Sequence, residues 1–481
     1  MVGIVSYGAY IPKYRIDRKI VYKAMGWLNP ATFMRGEKAV ANFDEDSITM
    51  GVAAGMDCIS NIDRSQIGGM YFATTTASHT DRLSAQIMAA AFDLNTDIRV
   101  ADFTDSAKAG TVAVLSAIDS VKAGTIKNSL VCASDCRIAK PGSSLEELYG
   151  DGAGSVLIGD DNVIAEFLGS HTLSHDFAGH WRGAGKKFDN QWEDRFIRDA
   201  AYKNFIMESI AGVLKKCNVE AKDVAKVAYP CLYAGDHKNI ARKLGFAPEQ
   251  VQDHMIGNVG YTGTGNPLML LVAALEDAKP GDKIIVASFG QGSDALLFEV
   301  TDAITAVNGQ KKGIENYLET KRPLDNYEKM ISFRDILPVD KGIRGEVVPF
   351  TALSEFWRSR KSILGLCGCK CTKCGTPQFP EQVICVNPDC GVKGHMESYR
   401  FSDKKGKVLM FTGDSLAFTP NPPQIYGTVD FEGGGRFWFD VTDADLEEMS
   451  IGMTVEMSFR RKFVDEKFGI HGYYWKAIPA K

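Results

Sequence analysis

Two close pairs of cysteines carry the most specific chemistry in this chain: Cys371-Thr-Lys-Cys374 and, after ten residues, Cys385-Val-Asn-Pro-Asp-Cys390. Thiolates on short knuckles containing Gly and Pro suit tetrahedral coordination. One Zn2+ on Cys371, Cys374, Cys385 and Cys390 would hold together a small ribbon that has no core of its own. Cys367 and Cys369 are spare thiols beside them and leave the second pair's membership more open than the first's. The remaining five cysteines are scattered from Cys58 to Cys231, the pattern of buried thiols in a reducing compartment. A second constellation is Asp102-Phe-Thr-Asp-Ser-Ala-Lys-Ala-Gly-Thr111, which opens an apolar helix over about 111–122. A polar turn at a helix start sets free backbone N–H groups and the positive end of the dipole beside the first side chains, where an acyl-transfer enzyme places its nucleophile. Here the turn offers Ser106 and then Ala107. As a helix cap, Ser106 has an equally simple explanation.

The elements that must position these groups alternate between strand and helix. Of the 481 residues, 45% are hydrophobic and 24% charged, so two or three domains with a large buried core are expected. The net charge of −5 gives no basic face for a nucleic acid or an anionic membrane. The Met1 end lacks a basic leader and no window approaches eighteen apolar residues, which predicts a cytoplasmic protein with no membrane partner. Helix 111–122, Gly124, strand 129–133 and the turn into 150–158 recur in order as helix 268–279, Gly281, strand 283–287 and the turn into 295–300. At an offset of 157 residues Asp119 falls opposite Glu276 and Gly124 opposite Gly281. The periodicity shows α/β, and the repeat order argues for a duplicated core in which two central helices start near each other. The loop Gly257-Asn-Val-Gly-Tyr-Thr-Gly-Thr-Gly265 would then face Ser106 and Ala107. From Gly406 onward the chain alternates as five strands, 408–412, 424–431, 436–440, 454–459 and 473–478, the pattern of an OB-fold barrel.

The turn at Ser106 resembles the active-site loop of 3-hydroxy-3-methylglutaryl-CoA synthases, the archaeal type especially. They read Cys-Lys-Ala-Gly-Thr where this chain reads Ala107-Lys108-Ala109-Gly110-Thr111. Gly36-Glu-Lys through Asp44-Glu-Asp to Thr49-Met-Gly51 is similar to them as well, and the likeness extends over roughly residues 1–337. It implies a five-layered α-β-α-β-α core of the thiolase type. It also implies an acyl-accepting cysteine where Ala107 stands, a catalytic Glu where Thr75 stands in Ala73-Thr-Thr-Thr76, and a His where Pro230 stands. Asn258 matches the family's Asn that orients the reacting carbonyl, although an Asn turn explains it nearly as well. On this resemblance Thr75, Ala107, Lys108 and Tyr261 are expected at the substrate. Tyr233 and His237, close to Pro230, could take over acid–base work. His180 is a further spare base, in a stretch similar to the family segment that closes over the acyl group. A lone His is more often structural.

A ribbon followed by a five-strand barrel resembles the zinc-ribbon and OB-fold proteins that accompany thiolase-like acyl-CoA enzymes. Nucleic-acid binding is the usual alternative for such a barrel, and the acidic stretch 440–448 weighs against it. The expected domains are 1–160 and 161–345 for the two halves of the core, 346–400 for a helix and the ribbon, and 401–481 for the barrel. The expected ligand is an acyl-CoA thioester, with CoA as part of the substrate. The expected reaction makes or breaks a C–C bond beside the thioester, of aldol, retro-aldol or Claisen type, without the usual acyl-cysteine. The alternative is a catalytically silent CoA-binding subunit that assembles with an active thiolase-like partner. A homodimer through the core is expected in either case.

Overall fold

A computed structural model describes the chain except for Thr32, residues 346–349 and Lys481. The expected start of a new domain at Glu346 therefore lies outside the described residues. The chain forms two compact units. One comprises Met1–Ala41, Asp46–Gln86 and Asn95–Met330, and the other Asn42–Glu45, Ile87–Leu94 and Ile331–Lys481. Among the described residues no helix is long and apolar enough to cross a membrane.

The first unit is organised on one nine-stranded sheet. Its strands are β1 (Gly3–Tyr10), β2 (Ile67–Ala73), β3 (Arg99–Phe103), β4 (Asn128–Asp135), β5 (Gly152–Gly159), β6 (Ala165–Ser174), β7 (Lys226–Ala228), β8 (Lys283–Ala287) and β9 (Gly292–Val300). Across the sheet they run β7-β8-β9-β6-β1-β5-β4-β2-β3. The duplication is visible in the pairing. β1 pairs antiparallel with β5, β5 antiparallel with β4 and β4 parallel with β2. In the same way β6 pairs antiparallel with β9, β9 antiparallel with β8 and β8 parallel with β7. A short antiparallel contact at Gly3–Ile4 and Ala165–Glu166 joins the halves.

The helix layers on the sheet include α1 (Ser47–Cys58), α2 (Ala109–Lys122), α3 (Lys203–Cys217) and α4 (Asn266–Glu276). α1 packs on β1, β4 and β5, and α3 packs on β6, β8 and β9. Between the half-sheets lie α2 and α4, which touch each other and strands of both halves, so the layers run helix, sheet, two helices, sheet, helix. The central pair starts at Ala109 and Asn266, the 157-residue offset (266 − 109) of the sequence repeat. α2 buries Ala113, Val114, Ala117, Ile118 and Val121, and α4 buries nearly its whole length, as a helix enclosed on all sides must. Gly110 lets the two helix starts approach, because a Cβ there would run into the Thr264 carbonyl. α1 begins with the capping box that its acidic start suggests: the Asp46 carboxylate accepts from the Thr49 N–H, and the Thr49 hydroxyl accepts from the Asp46 N–H.

In the second unit β10 (Cys367–Cys371), β11 (Pro377–Gln378) and β12 (Met396–Arg400) form a three-stranded ribbon. β13 (Gly406–Asp414), β14 (Gln424–Phe431), β15 (Arg436–Val441), β16 (Thr454–Asp465) and β17 (Ile470–Pro479) close into a barrel. β14 alternates strictly between buried and half-buried positions, with Ile425, Val429 and Phe431 turned inward. A buried ionic network ties residues 42–45 into this unit. Arg460 pairs with Asp44 (3.2 Å), Glu45 (2.8 Å) and Asp443 (2.6 Å), and Lys476 Nζ lies 2.8 Å from the second Asp44 oxygen. Burial opposes the charge on Asp44, but Lys476 and Arg460 outweigh it and hold the carboxyl below its ordinary range.

Candidate active site

The C-terminal ends of the parallel strands β2, β3 and β4 open on one cavity of about 830 Å3, which is where open α/β sheets bind ligands. Thr74 and Thr75 follow β2, Thr104 to Ala107 follow β3, and Arg137 follows β4. Phe289, Gly290 and Gln291 come from the loop before β9, and residues of the segment from Phe177 to Asp194 form the facing wall. The turn before α2 is tight, with Asp105 in the left-handed region (φ 72°), a conformation that costs a non-glycine residue energy and recurs at functional turns. Ser106 Oγ stands 3.4 Å from both the Lys108 and the Gln291 N–H, so two backbone donors converge at the positive end of a fourteen-residue helix. Ser106 is not the N-cap residue, and α2 has no side-chain cap. Gly290 is required opposite it, because a Cβ would run into Ser106 Oγ.

The facing wall is a polar network around Asp189. Arg137 Nε donates to Asp189 Oδ2 at 2.9 Å and Arg182 Nη1 to Oδ1 at 3.0 Å, while Arg182 Nη2 donates to the Thr75 carbonyl. His180 Nε2 lies 3.3 Å from Asp189 Oδ2 and 2.9 Å from the Tyr149 hydroxyl, and Arg137 Nη2 stands within 2.9 Å of both imidazole nitrogens. Burial first, and the Arg137 charge second, hold the His180 imidazole below its ordinary pKa and keep it neutral at pH 7. Burial opposes ionisation of Asp189, but the His180 hydrogen bond and the two guanidiniums outweigh it, and the carboxyl sits well below the usual range.

Of the residues expected at the site, Ser106, Ala107, Thr75, Tyr233, Tyr261 and His180 line this cavity together. Thr75 is committed to structure: its N–H and hydroxyl both donate to Asp135, which also accepts from Thr74 and from the Thr264 N–H. Tyr233 donates to the Asp194 carbonyl at 3.2 Å, and burial raises its phenol pKa. Three expected residues lie elsewhere. The Lys108 ammonium turns inward to Asp294 Oδ1 and the Leu173 carbonyl, both at 3.1 Å, because a carboxylate with no solvent exposure needs a counter-charge. His237 is buried, stacked on the Tyr229 ring with Nε2 3.2 Å from the Tyr229 carbonyl; burial, and then His254, lower it to about 4. Asn258 is exposed on a turn in which the N–H groups of residues 258, 259 and 260 all point to the Met255 carbonyl. That turn closes before Tyr261, whose N–H and C=O bond to Leu148 and Gly150, so Tyr261 reaches the cavity in place of Asn258. No motif or spacing in the sequence singles out Arg137, Tyr149 or Asp189. Their positions after β4, before the Gly150 turn and in a long loop become meaningful only once those elements converge.

In the second unit the sulfurs of Cys371, Cys374, Cys385 and Cys390 lie within 4.8 Å of one another, and two pairs stand at 3.9 and 3.4 Å. A tetrahedral ion with metal–sulfur bonds of about 2.3 Å needs sulfurs roughly 3.8 Å apart, so the four ligands fit. Cys367 and Cys369 turn away, the first to the Gly365 carbonyl and the second to the backbone of Gln382.

Residues 214–298 match the C-terminal family model of 3-oxoacyl-[acyl-carrier-protein] synthase III, and 399–460 match the C-terminal OB-fold domain of ChsH2. The hydroxymethylglutaryl-CoA synthase of Methanopyrus kandleri is 32% identical over 330 residues, 66% of this chain and 93% of that protein. This chain belongs to the hydroxymethylglutaryl-CoA synthase family. The Methanocaldococcus jannaschii synthase is likewise 32% identical over 335 residues, 68% of this chain and 96% of its own length. A crystal structure of an HMG-CoA synthase complexed with CoA shares the fold at a TM-score of 0.61 and 16% identity, over 73% of this chain and 95% of that one. As a hydroxymethylglutaryl-CoA synthase family member the chain departs from the expected catalytic set. Among the described residues that line the cavity there is no cysteine and no glutamate.

Proposed function

We propose that this chain is an enzyme that makes or breaks a carbon–carbon bond beside a CoA thioester without an acyl-cysteine. The observation that carries this reading is the cavity itself: a helix N-terminus with converging N–H donors and an imidazole kept neutral, and no thiol on the described wall. The names of the curated relatives and the CoA in the structural neighbour support a CoA thioester as the ligand. In the cleavage direction His180 takes the proton of a β-hydroxyl and the Cα–Cβ bond breaks. The electron pair moves onto the thioester as an enolate, and His180 returns the proton to Cα. Asp189 and Tyr149 orient the imidazole, and the positive end of the α2 dipole meets the charge that develops on the thioester oxygen.

Turnover of a β-hydroxyacyl-CoA by the isolated chain, with no acyl adduct in its intact mass, is the expected result. An acyl adduct on Ser106 overturns the reading. A catalytically silent subunit is the second reading, favoured by Ala107, Thr75 and Pro230 at the three positions where the family carries reactive groups. Co-purification with a cysteine-bearing thiolase-like chain, together with no turnover alone, decides for it. We further propose that Cys371, Cys374, Cys385 and Cys390 hold a structural zinc, and that the core forms a cytoplasmic homodimer. The sulfur spacing supports the first, and light scattering tests the dimer.

A further inference from the structure

We infer that the acyl group this cavity takes is uncharged, bulky and flat, an aryl or comparably large apolar acyl group. This rests on the reading of the site as a CoA-thioester site. The cavity's volume of about 830 Å3 lies towards the upper end for small-molecule sites. Its wall is markedly aromatic: Tyr149, Phe177, Trp181, Tyr233, Tyr261 and Phe289 all line it. The hydroxyls of Tyr149 and Tyr233 are already bonded to His180 and to the Asp194 carbonyl, so these residues offer ring surface more than polar contacts. One apolar cluster backs part of this wall: Leu145, Tyr149 and Tyr261 at its centre, with Met34, Leu148 and Leu232 packed on them, and all six also line the cavity. Flat apolar groups gain from such a surface both by area and by ring geometry.

The charges point the same way. Three cationic lining residues, Arg137, Arg182 and Lys186, face three anionic ones, Asp105, Asp189 and Asp194. Both guanidiniums are committed to Asp189, and Arg182 also to the Thr75 carbonyl. An acyl carboxylate directed at either guanidinium would have to displace these bonds, whereas an uncharged group leaves them intact.

The test is calorimetric titration of the full chain with CoA, acetyl-CoA, 3-hydroxy-3-methylglutaryl-CoA and benzoyl-CoA. Benzoyl-CoA is expected to bind at least tenfold tighter than acetyl-CoA and 3-hydroxy-3-methylglutaryl-CoA. Leu232→Trp, which fills the apolar part, is expected to remove that preference while acetyl-CoA binding stays within twofold. Should Leu232→Trp fail to fold, Leu148→Ala is expected to weaken benzoyl-CoA several-fold and acetyl-CoA hardly at all. Equal affinity for acetyl-CoA and benzoyl-CoA, or tighter binding of 3-hydroxy-3-methylglutaryl-CoA, overturns the inference and leaves the CoA reading standing. Failure of all four to bind overturns the CoA reading and this inference with it.

Discussion

Lys108 Nζ and Asp294 Oδ1 stand 3.1 Å apart with side-chain exposures of only 10% and 0%. This ion pair fastens the start of α2 to β9, and the other Asp294 oxygen accepts the Thr111 hydroxyl at 2.7 Å. Asp294→Asn leaves the ammonium without its counter-charge and is expected to cost about 3–5 kcal/mol of stability. Lys108→Met/Asp294→Leu, which removes both charges, should cost clearly less. Urea unfolding of the two variants measures the difference; equal losses would contradict the pairing.

His180 is expected to be the acid–base group. His180→Ala should lower kcat by roughly 10²–10⁴ with the protein still folded. Because burial and Arg137 favour the neutral ring, activity of the natural protein should hold as pH falls through the ordinary imidazole range of about 6.5 and decline only below it. A pH–rate profile with its acid limb above 6.5 would argue for another base.

Ala107 occupies the nucleophile position by resemblance, and the backbone around it is a helix N-terminus whatever the side chain. In Ala107→Cys the helix dipole should favour the thiolate. Incubation with acetyl-CoA should add an acyl mass to that peptide in the variant and none in the natural chain. A variant that stays unmodified would show that the turn lacks an activating field.

The metal prediction concerns the ribbon. Elemental analysis should find one zinc per chain, and Cys371→Ala/Cys374→Ala should lose it together with the protease resistance of residues 367–400. Full zinc retention in the double variant would assign the ion to other ligands.

His237 gives a pH dependence of stability with a definite sign. Its folded value of about 4 lies below the unfolded 6.5, so the unfolded chain binds more protons between them, and stability present above 6.5 is lost as pH falls towards 4. The loss is on the order of 3 kcal/mol. Glu276, raised by burial to about 7, acts in the opposite direction over much of the same window, so the two contributions offset each other in the total profile. The difference between the natural chain and His237→Gln isolates the His term: the variant should lose less stability between pH 7.5 and 4.5. An unchanged pH slope would show that His237 does not carry it.

What the sequence determined by itself is local. The repeat of helix, glycine turn and strands appears as the same pairing pattern in both halves of the sheet because periodicity and glycine turns act within a few residues. The five barrel strands fall where alternation places them, and the four clustered sulfurs follow from two short spacings. Only the tertiary structure decided which side chains share the cavity. Lys108 turns away from it because Asp294, far along the chain, offers a buried carboxylate. Asn258 is kept out because it sits within the turn at the Met255 carbonyl, which closes at Gly260, just before Tyr261. Arg137, Tyr149, His180 and Asp189 act as one network although Arg137 and Asp189 are separated by 52 positions. Contacts at such separations leave no periodic trace, since their energy depends on where strand ends and loops converge and not on the residues beside them in the chain.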